Sequence, residues 1–260
     1  MLNRRAFIKM SGMTGAASLG ALGATGRETG KKREYYALRR YHVETDAQRA
    51  GLAQFLGEAA IPAWNRLGIS PVGAFVHAEE GSPVYVLLPH QSPEALLTAT
   101  HALLNDGEFL DAGAAFLNAP ASAPAYKRME IAYLLAFTGM PALERPSTAK
   151  GRVFQLRTYE SPSVKTGQKK IEMFNTAELA IFRKVGLTPV FFGEALAGDK
   201  MPNLTYMLGF DSMDAQKAAW DRFLQDPDWK ELSAKPEYAN DAILCGITNL
   251  PLRPLACSQI

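Results

Sequence analysis

The alternation of apolar and polar residues is clearest between residues 152 and 159. One side of this segment carries Phe154, Leu156 and Thr158. The other side carries Gln155, Arg157 and Tyr159. A period of two among aromatic and aliphatic side chains predicts a β-strand. Because successive strand residues point to opposite faces, each of these two sets should meet a different neighbour in the fold.

The period changes to that of a helix between residues 165 and 185. Its apolar stripe consists of Ile171, Phe174, Ala177, Ile181 and Val185. Gly186 is a suitable end for this helix, since glycine adopts positive φ without strain. The remaining pattern predicts strands at 190–195 and 204–210, a helix from 212 or 214 to 224, a short helix from Pro227 and a last strand at 242–250.

The chain contains this pattern twice. Leu38, Arg39 and Tyr41 recur 118 residues later as Leu156, Arg157 and Tyr159, and Gly68, Pro71 and Val72 recur at the same spacing as Gly186, Pro189 and Val190. A constant spacing over several elements indicates two copies of one supersecondary unit. The first copy is predicted to contain strands at 35–43, 72–77, 84–88 and 126–137, with helices at 46–67 and 93–104.

The order β-α-β-β-α-β in each copy predicts an α+β fold made of two tandem ferredoxin-like halves. The halves are expected at 33–140 and 151–260, joined by a linker at 141–150 in which prolines and hydroxyl residues cluster. A four-stranded antiparallel sheet carries both helices on one face, and its other face needs cover. Two such sheets can cover each other, so we expect one pseudo-dimeric α/β barrel.

The N-terminus has the pattern of a twin-arginine export signal, predicted at residues 1–26. Arg4 and Arg5 precede Phe7, Ile8 and Lys9, and a mildly apolar stretch follows to about residue 25. The stretch is too short and too rich in glycine for a stable membrane span. The prediction places the mature protein in the periplasm or outside the cell, with membrane contact only during export. The alternative is a frayed cationic N-terminus.

Charge and cysteine content exclude several classes of partner. Without residues 1–26 the chain has 25 basic and 26 acidic residues, a formal charge of −1. Because no cluster of Lys and Arg forms an electrostatic footprint, a nucleic-acid partner is not expected. Cys245 and Cys257 do not form a CxxC pair and predict no metal site. A protein folded before export cannot need a disulfide to fold, which favours free thiols.

The second copy resembles the NIPSNAP family. Val153-Phe154-Gln155-Leu156-Arg157-Thr158-Tyr159 resembles the family's opening "ELRTY" strand, the segment 186–194 its central strand, and Asp226-Pro227-Asp228-Trp229 its "DPEW" helix. The first copy is similar but diverged, with Gly107-Glu108-Phe109 in place of the last motif. The resemblance implies the dimeric α/β-barrel fold, which small monooxygenases and haem-dependent enzymes also use. It implies no particular reaction.

The candidate binding residues follow from the strand alternation. If Phe154 and Leu156 face the helices, Gln155, Arg157 and Tyr159 face the barrel interior, and Arg39 and Tyr41 do the same in the first copy. Arginine and tyrosine in an enclosed cavity bind a carboxylate, phosphate or enolate oxygen. Glu194 is the first choice of acid for this site. The alternative is a structural ion pair of the arginine with Glu194 or Glu130.

Two further sets of residues have candidate roles. Glu178 falls inside the apolar stripe of its helix, which favours a structural contact with a cation. All four histidines, His42, His77, His90 and His101, lie in the first copy. No cofactor is predicted. A haem held by His77 is the alternative, although the chain has neither a CxxCH motif nor paired histidine spacing.

These observations predict a protein that binds a small organic molecule or a protein partner, in which a homo-oligomer is also allowed. The alternative is a monooxygenase-like or haem-dependent enzyme that acts on a small organic compound inside the barrel. An enclosed cavity of about 300 Å³ or more lined by Arg157 and Tyr159 would favour the enzyme. A barrel filled by side chains would favour the binding protein.

Overall fold

A computed structural model describes residues 32–260 of the chain. The export signal predicted at residues 1–26 lies outside the described residues. Within 32–260, no helix is long and apolar enough to cross a membrane.

The first half begins with strand β1 and ends with strand β4. Its strands are β1 Tyr35–His42, β2 Gly73–His77, β3 Val84–His90 and β4 Arg128–Ala136. Its helices are α1 Asp46–Phe55, a π-helical turn Leu56–Ala60, α2 Ile61–Arg66, α3 Pro93–Leu103, α4 Gly107–Ala112 and α5 Ala114–Leu117.

The second half repeats this order. Its strands are β5 Val153–Glu160, β6 Pro189–Ala197, β7 Asn203–Phe210 and β8 Gly246–Pro254. Its helices are α6 Val164–Met173, a π-helical turn Phe174–Glu178, α7 Leu179–Val185, α8 Met213–Gln225, α9 Pro227–Ser233, a 3₁₀ turn Pro236–Tyr238 and α10 Asn240–Ile243. The last strand therefore begins four residues later than expected, and the segment before it is a short helix.

The eight strands close into one antiparallel barrel in the order β1-β3-β2-β8-β5-β7-β6-β4. Each half contributes a ferredoxin-like sheet, and the two sheets join at both edges. At one junction β2 pairs with β8, where Phe75 lies opposite Pro254, and at the other β4 pairs with β6, where Leu135 lies opposite Glu194. Closure leaves no free sheet edge, and it confirms the predicted barrel of two tandem halves.

Three apolar clusters fill the described part of the chain. One lies between the first sheet and its helices, and a second lies between the second sheet and its helices. The third contains side chains from all eight strands and none from a helix, so it occupies the barrel lumen. Its largest members are Tyr36, Phe75, Tyr85, Phe154 and Phe191.

The two halves share local detail at equivalent positions. Asp106 caps α4 by accepting the backbone N–H of Phe109, and Asp226 caps α9 in the same way. Each capping carboxylate also forms an ion pair with a basic side chain: Arg66 lies 2.7 Å from Asp106, and Lys184 lies 2.6 Å from Asp226. The helix after the first strand of each half also contains a π-helical turn at the same place. A π-helical turn adds a residue to the helix and is often kept at functional positions.

Candidate functional site

The predicted site residues of β5 lie between the sheet and the helices, not in the barrel lumen. Phe154 and Leu156 belong to the lumen cluster, whereas Tyr159 belongs to the cluster under the second pair of helices. Gln155 confirms the direction of this face, because its side-chain oxygen accepts a hydrogen bond from the indole N–H of Trp220 on α8 at 2.8 Å. The predicted alternation is right, but its two faces are exchanged.

Arg157 lies in a compact aromatic setting on this face. Its guanidinium donates to the Tyr159 hydroxyl at 3.1 Å and lies 4.9 Å from the centre of the Trp220 ring. The Tyr159 hydroxyl also shares a 2.9 Å hydrogen bond with that of Tyr206 on β7. Burial, together with the neighbouring Tyr159, holds the pKa of Tyr206 well above its ordinary value. Tyr206 is therefore a neutral hydrogen-bonding group at physiological pH.

A buried ion pair completes this cluster. The Lys170 ammonium lies 2.8 Å from the Glu178 carboxylate, and both side chains are at most 3% exposed. The same ammonium lies 4.7 Å from the centre of the Phe174 ring. Burial raises the pKa of Glu178, while Lys170 and, more weakly, Arg157 oppose the rise. The structural role expected for Glu178 is thus supported, and Lys170 is the partner that the sequence did not reveal.

The geometry of the helix explains why Lys170 was missed. Residues eight apart lie about 80° from each other around an ideal α-helix. The π-helical turn Phe174–Glu178 begins after Lys170 and ends at Glu178, and it adds one residue to the helix. The pair then behaves nearly as residues seven apart, which differ by only about 20°. A helical wheel drawn without the π-helical turn cannot show this contact.

Neither acid proposed for Arg157 contacts it. Glu194 lies on the helix side of β6, where the side-chain amide of Gln168 donates to it. Glu130 on β4 forms an ion pair with Arg40 and a hydrogen bond with His42, each at 3.2 Å. The acid whose pKa responds to the charge of Arg157 is Glu178. Both proposed ion-pair partners were therefore wrong, and Glu194 does not belong to the Arg157 cluster.

Arg39 and Tyr41 of β1 also face the helices instead of the lumen. Tyr41 belongs to the cluster under the first helices, whereas Tyr36 and Leu38 belong to the lumen cluster. Arg39 lies 5.3 Å from the centre of the Trp64 ring. Its contacts with the hydroxyls of Tyr41 and Thr100 are long, at 3.5 and 3.4 Å. Arg39 is thus held less tightly than its counterpart Arg157.

Unpartnered buried polar atoms concentrate in the first half. Among the described residues, the Nε of Arg39, the Nε1 of Trp64 and both ring nitrogens of His90 are buried without a hydrogen-bond partner, whereas in the second half this holds for the Nε of Arg157. The first two are donors, and a neutral imidazole adds one more. Burial, assisted by the charge of Arg39, lowers the pKa of His90 to about 4. His90 is therefore neutral at physiological pH.

His77, the proposed haem ligand, accepts hydrogen bonds from the backbone of the turn that follows it. Its Nδ1 accepts the backbone N–H of Glu80 at 3.1 Å and, less closely, that of Glu79. The side chain is 8% exposed at the end of β2. In residues 32–260, no three His, Cys, Asp or Glu side chains are grouped closely enough to hold a metal ion. Cys245 and Cys257 are both free thiols in this part of the chain, and Cys245 is exposed.

A cavity of about 490 Å³ lies outside the barrel, against helix α1 of the first half. Its walls come from α1 and from the segment 112–125, which contains seven alanines. Phe55 and Phe116 line it and are stacked on each other, with ring centres 4.1 Å apart. In the second half the equivalent segment carries Leu232 and Tyr238, which pack into the core. Small side chains in the first half therefore leave this space open.

The NIPSNAP family model matches residues 154–259, the part of the chain that contains the Arg157 cluster. No curated protein matches the chain.

Solved structures with similar folds cover most of the chain. A candidate monooxygenase from Fusobacterium nucleatum subsp. nucleatum shares 8% sequence identity, with a TM-score of 0.56 over 86% of this chain and 94% of its own. An anthrone oxidase-like protein shares 10% identity, with a TM-score of 0.54 over 87% and 95%. A candidate monooxygenase from Lactobacillus acidophilus shares 12% identity, with a TM-score of 0.53 over 85% and 94%. At these identities the likeness concerns the fold alone.

Proposed function

Because the second half matches the NIPSNAP family model and the halves together form an α/β barrel, we propose that this protein is a ligand-binding barrel that holds a small organic molecule beside helix α1. The observation that carries the proposal is the cavity of about 490 Å³. Pockets that bind drug-sized molecules typically have volumes of about 300–1,000 Å³. The apolar walls and the few polar groups of this cavity fit the same description.

The side chains at the cavity indicate the class of ligand. The stacked rings of Phe55 and Phe116 offer a flat apolar surface. Gln54 and Glu58 lie together on one side, joined by a 3.0 Å hydrogen bond, and the Gln48 amide is tied to the Pro124 carbonyl at 2.9 Å. An apolar, planar molecule with at least one hydrogen-bonding group would match these walls.

An enzyme that works inside the barrel receives less support. The lumen is packed with large apolar side chains from all eight strands, including Phe75, Phe154 and Phe191. The cavity is lined by neither Arg157 nor Tyr159. Two of the structures with similar folds are named as monooxygenases. That name applies to those proteins, because a shared fold does not by itself imply a shared activity.

Filling the cavity should weaken binding strongly without loss of stability. Gly51 lies on the exposed side of α1, lines the cavity, and has open space where a larger side chain would begin. Gly51→Leu should occupy the cavity and also favour the helix by up to about 1 kcal/mol. Titration of the folded protein with the neutral fluorescent probe N-phenyl-1-naphthylamine should give saturable binding to the wild type, weakened at least tenfold in the variant.

The matched control is Gly107→Leu. Gly107 is also an exposed helical glycine with open space beside it, but it does not line the cavity. This variant should bind the probe as the wild type does. Equal binding to wild type and Gly51→Leu, with both melting cooperatively, would refute the cavity as the ligand site.

The proposal includes export by the twin-arginine route. Its support is the Arg4-Arg5 pair followed by a short apolar stretch rich in glycine and alanine. Replacement of both arginines by lysine should retain the full-length precursor in the cytoplasm, because the route requires the arginine pair and not charge alone. Cell fractionation with immunoblotting gives the measurement. Unchanged export of the double lysine variant would contradict this part of the proposal.

A further inference from the structure

The internal repeat allows each arginine to be compared with its counterpart. Arg39 of β1 lies opposite Val86 of β3, and Arg157 of β5 lies opposite Tyr206 of β7. Both guanidinium groups lie near an aromatic ring on the helix side of the sheet. The two positions are therefore equivalent in backbone and differ in the side chains around them.

The second half supplies its arginine with partners from its own chain. Tyr159 accepts a hydrogen bond from Arg157, and the Trp220 ring lies beside the guanidinium. Glu178 forms its ion pair with Lys170, and the Nε of Arg157 is buried without a partner. The groups that contact Arg157 in the second half are therefore neutral.

The first half has no counterpart of the Lys170–Glu178 ion pair. Leu52 and Ala60 stand at these two positions, the latter in the same π-helical turn. Within residues 32–260, no acidic side chain forms an ion pair with Arg39. Three side chains around Arg39 are smaller than their counterparts, since Ala37, Val86 and Thr100 replace Gln155, Tyr206 and Trp220. Two others bring polar groups, since Trp64 and His90 stand where the second half has the buried Phe182 and Phe210.

The polar atoms near Arg39 are mainly donors. Trp64, 1% exposed, has an unpartnered indole N–H, and the neutral His90, 2% exposed, offers one further N–H. The Nε atoms of Arg39 and of Arg157 are both buried and unpartnered, so the donors peculiar to the first half are those of Trp64 and His90. A group that accepts several hydrogen bonds and carries negative charge would satisfy this set, since a buried donor without an acceptor is destabilising.

We propose that the first half binds a small carboxylate at Arg39, where it would accept hydrogen bonds from the guanidinium and from the buried N–H groups of Trp64 and His90. The guanidinium offers the planar fork that carboxylates accept in two parallel hydrogen bonds. Thr100 is exposed on α3, so the ligand enters from that side of the helix layer. The site shares no lining residue with the cavity beside α1, and its existence does not depend on the function proposed for that cavity.

The test uses sodium benzoate as the probe and benzamide, its neutral analogue of similar shape, as the comparison. The full chain is labelled with ¹⁵N, and the indole N–H of Trp64 is followed by NMR, assigned with Trp64→Phe. Only three tryptophans occur in the chain, so the signals are few. Benzoate should shift the Trp64 signal saturably, and benzamide should leave it unchanged at the same concentrations. Equal shifts with both compounds would overturn the proposal.

Two variants test the residues involved. Arg39→Gln should weaken benzoate binding at least tenfold. Thr100→Trp introduces the residue that the second half has at this exposed position, and it should weaken benzoate binding to the same extent while the protein stays folded. Arg128→Gln, which removes an exposed cation of the first half, is the matched control and should bind as the wild type does. Benzoate binding that survives both site variants would overturn the proposal. Tighter binding of inorganic phosphate than of benzoate would overturn the assignment to carboxylates.

Discussion

Glu178→Ala is expected to lower the free energy of unfolding by about 3–5 kcal/mol, since it leaves the ammonium of Lys170 buried without its partner. In a chain of this length, such a loss lowers the melting temperature by about 6–20 °C. Lys170 is 1% exposed and cannot turn to solvent without moving the helix. Thermal and urea unfolding, followed by circular dichroism, measure the effect.

The first half supplies the control for this experiment. It carries Leu52 and Ala60 at the positions of Lys170 and Glu178, and both are fully buried. The double variant Lys170→Leu with Glu178→Ala should therefore be more stable than either single variant, because it removes both charges together. Burial raises the pKa of Glu178 despite its partner, in line with the cost of moving a charge out of water. A double variant as unstable as the sum of the single changes would contradict this account.

Phe154→Ala is expected to cost about 3–5 kcal/mol and to destabilise both halves together. Phe154 is 1% exposed in the lumen, where its ring meets that of Phe75 from the other half at 4.8 Å. Trp64 reports on the first half and Trp220 on the second by fluorescence. Urea unfolding of single-tryptophan versions should show one shared transition, shifted to lower denaturant for both reporters.

The control for Phe154 is Leu97→Ala, since Leu97 is 64% exposed on α3 and should change stability little. If Phe154 instead packed against the helices of its own half, Phe154→Ala would lower the urea midpoint of the second half and leave that of the first half unchanged. Separate transitions for the two reporters would therefore contradict a shared lumen.

The two halves have diverged in a consistent direction. The second half carries the family match, and its Arg157 donates a hydrogen bond to Tyr159. Tyr206, Trp220 and the Lys170–Glu178 pair fill the region under its helices. The first half has smaller side chains at these positions, contains the cavity beside α1, and holds most of the buried unpartnered polar atoms. The second half is therefore the more fully packed of the two.

Sequence periodicity located most of the regular elements. The alternation at 152–159 predicted β5, and the helical stripe before Gly186 predicted the helix that ends there, where Gly186 has a φ of 82°. The spacing of 118 residues predicted the two halves, and the one-sided sheets predicted the barrel. These features follow from local backbone preference and from the requirement that apolar faces be covered.

The sequence by itself thus determined the elements, their repeat and the closed barrel, but it left the direction of each strand face undecided. Alternation places Phe154 and Arg157 on opposite faces of the sheet. Both faces are buried, because one lines the packed lumen and the other packs against the helices, so burial does not tell them apart. Only the tertiary structure decided that Phe154 turns to the lumen and Arg157 to the helices. It also decided the contact of Lys170 with Glu178, because a π-helical turn changes which residues share a helix face, and that turn leaves no simple mark in the hydrophobic pattern.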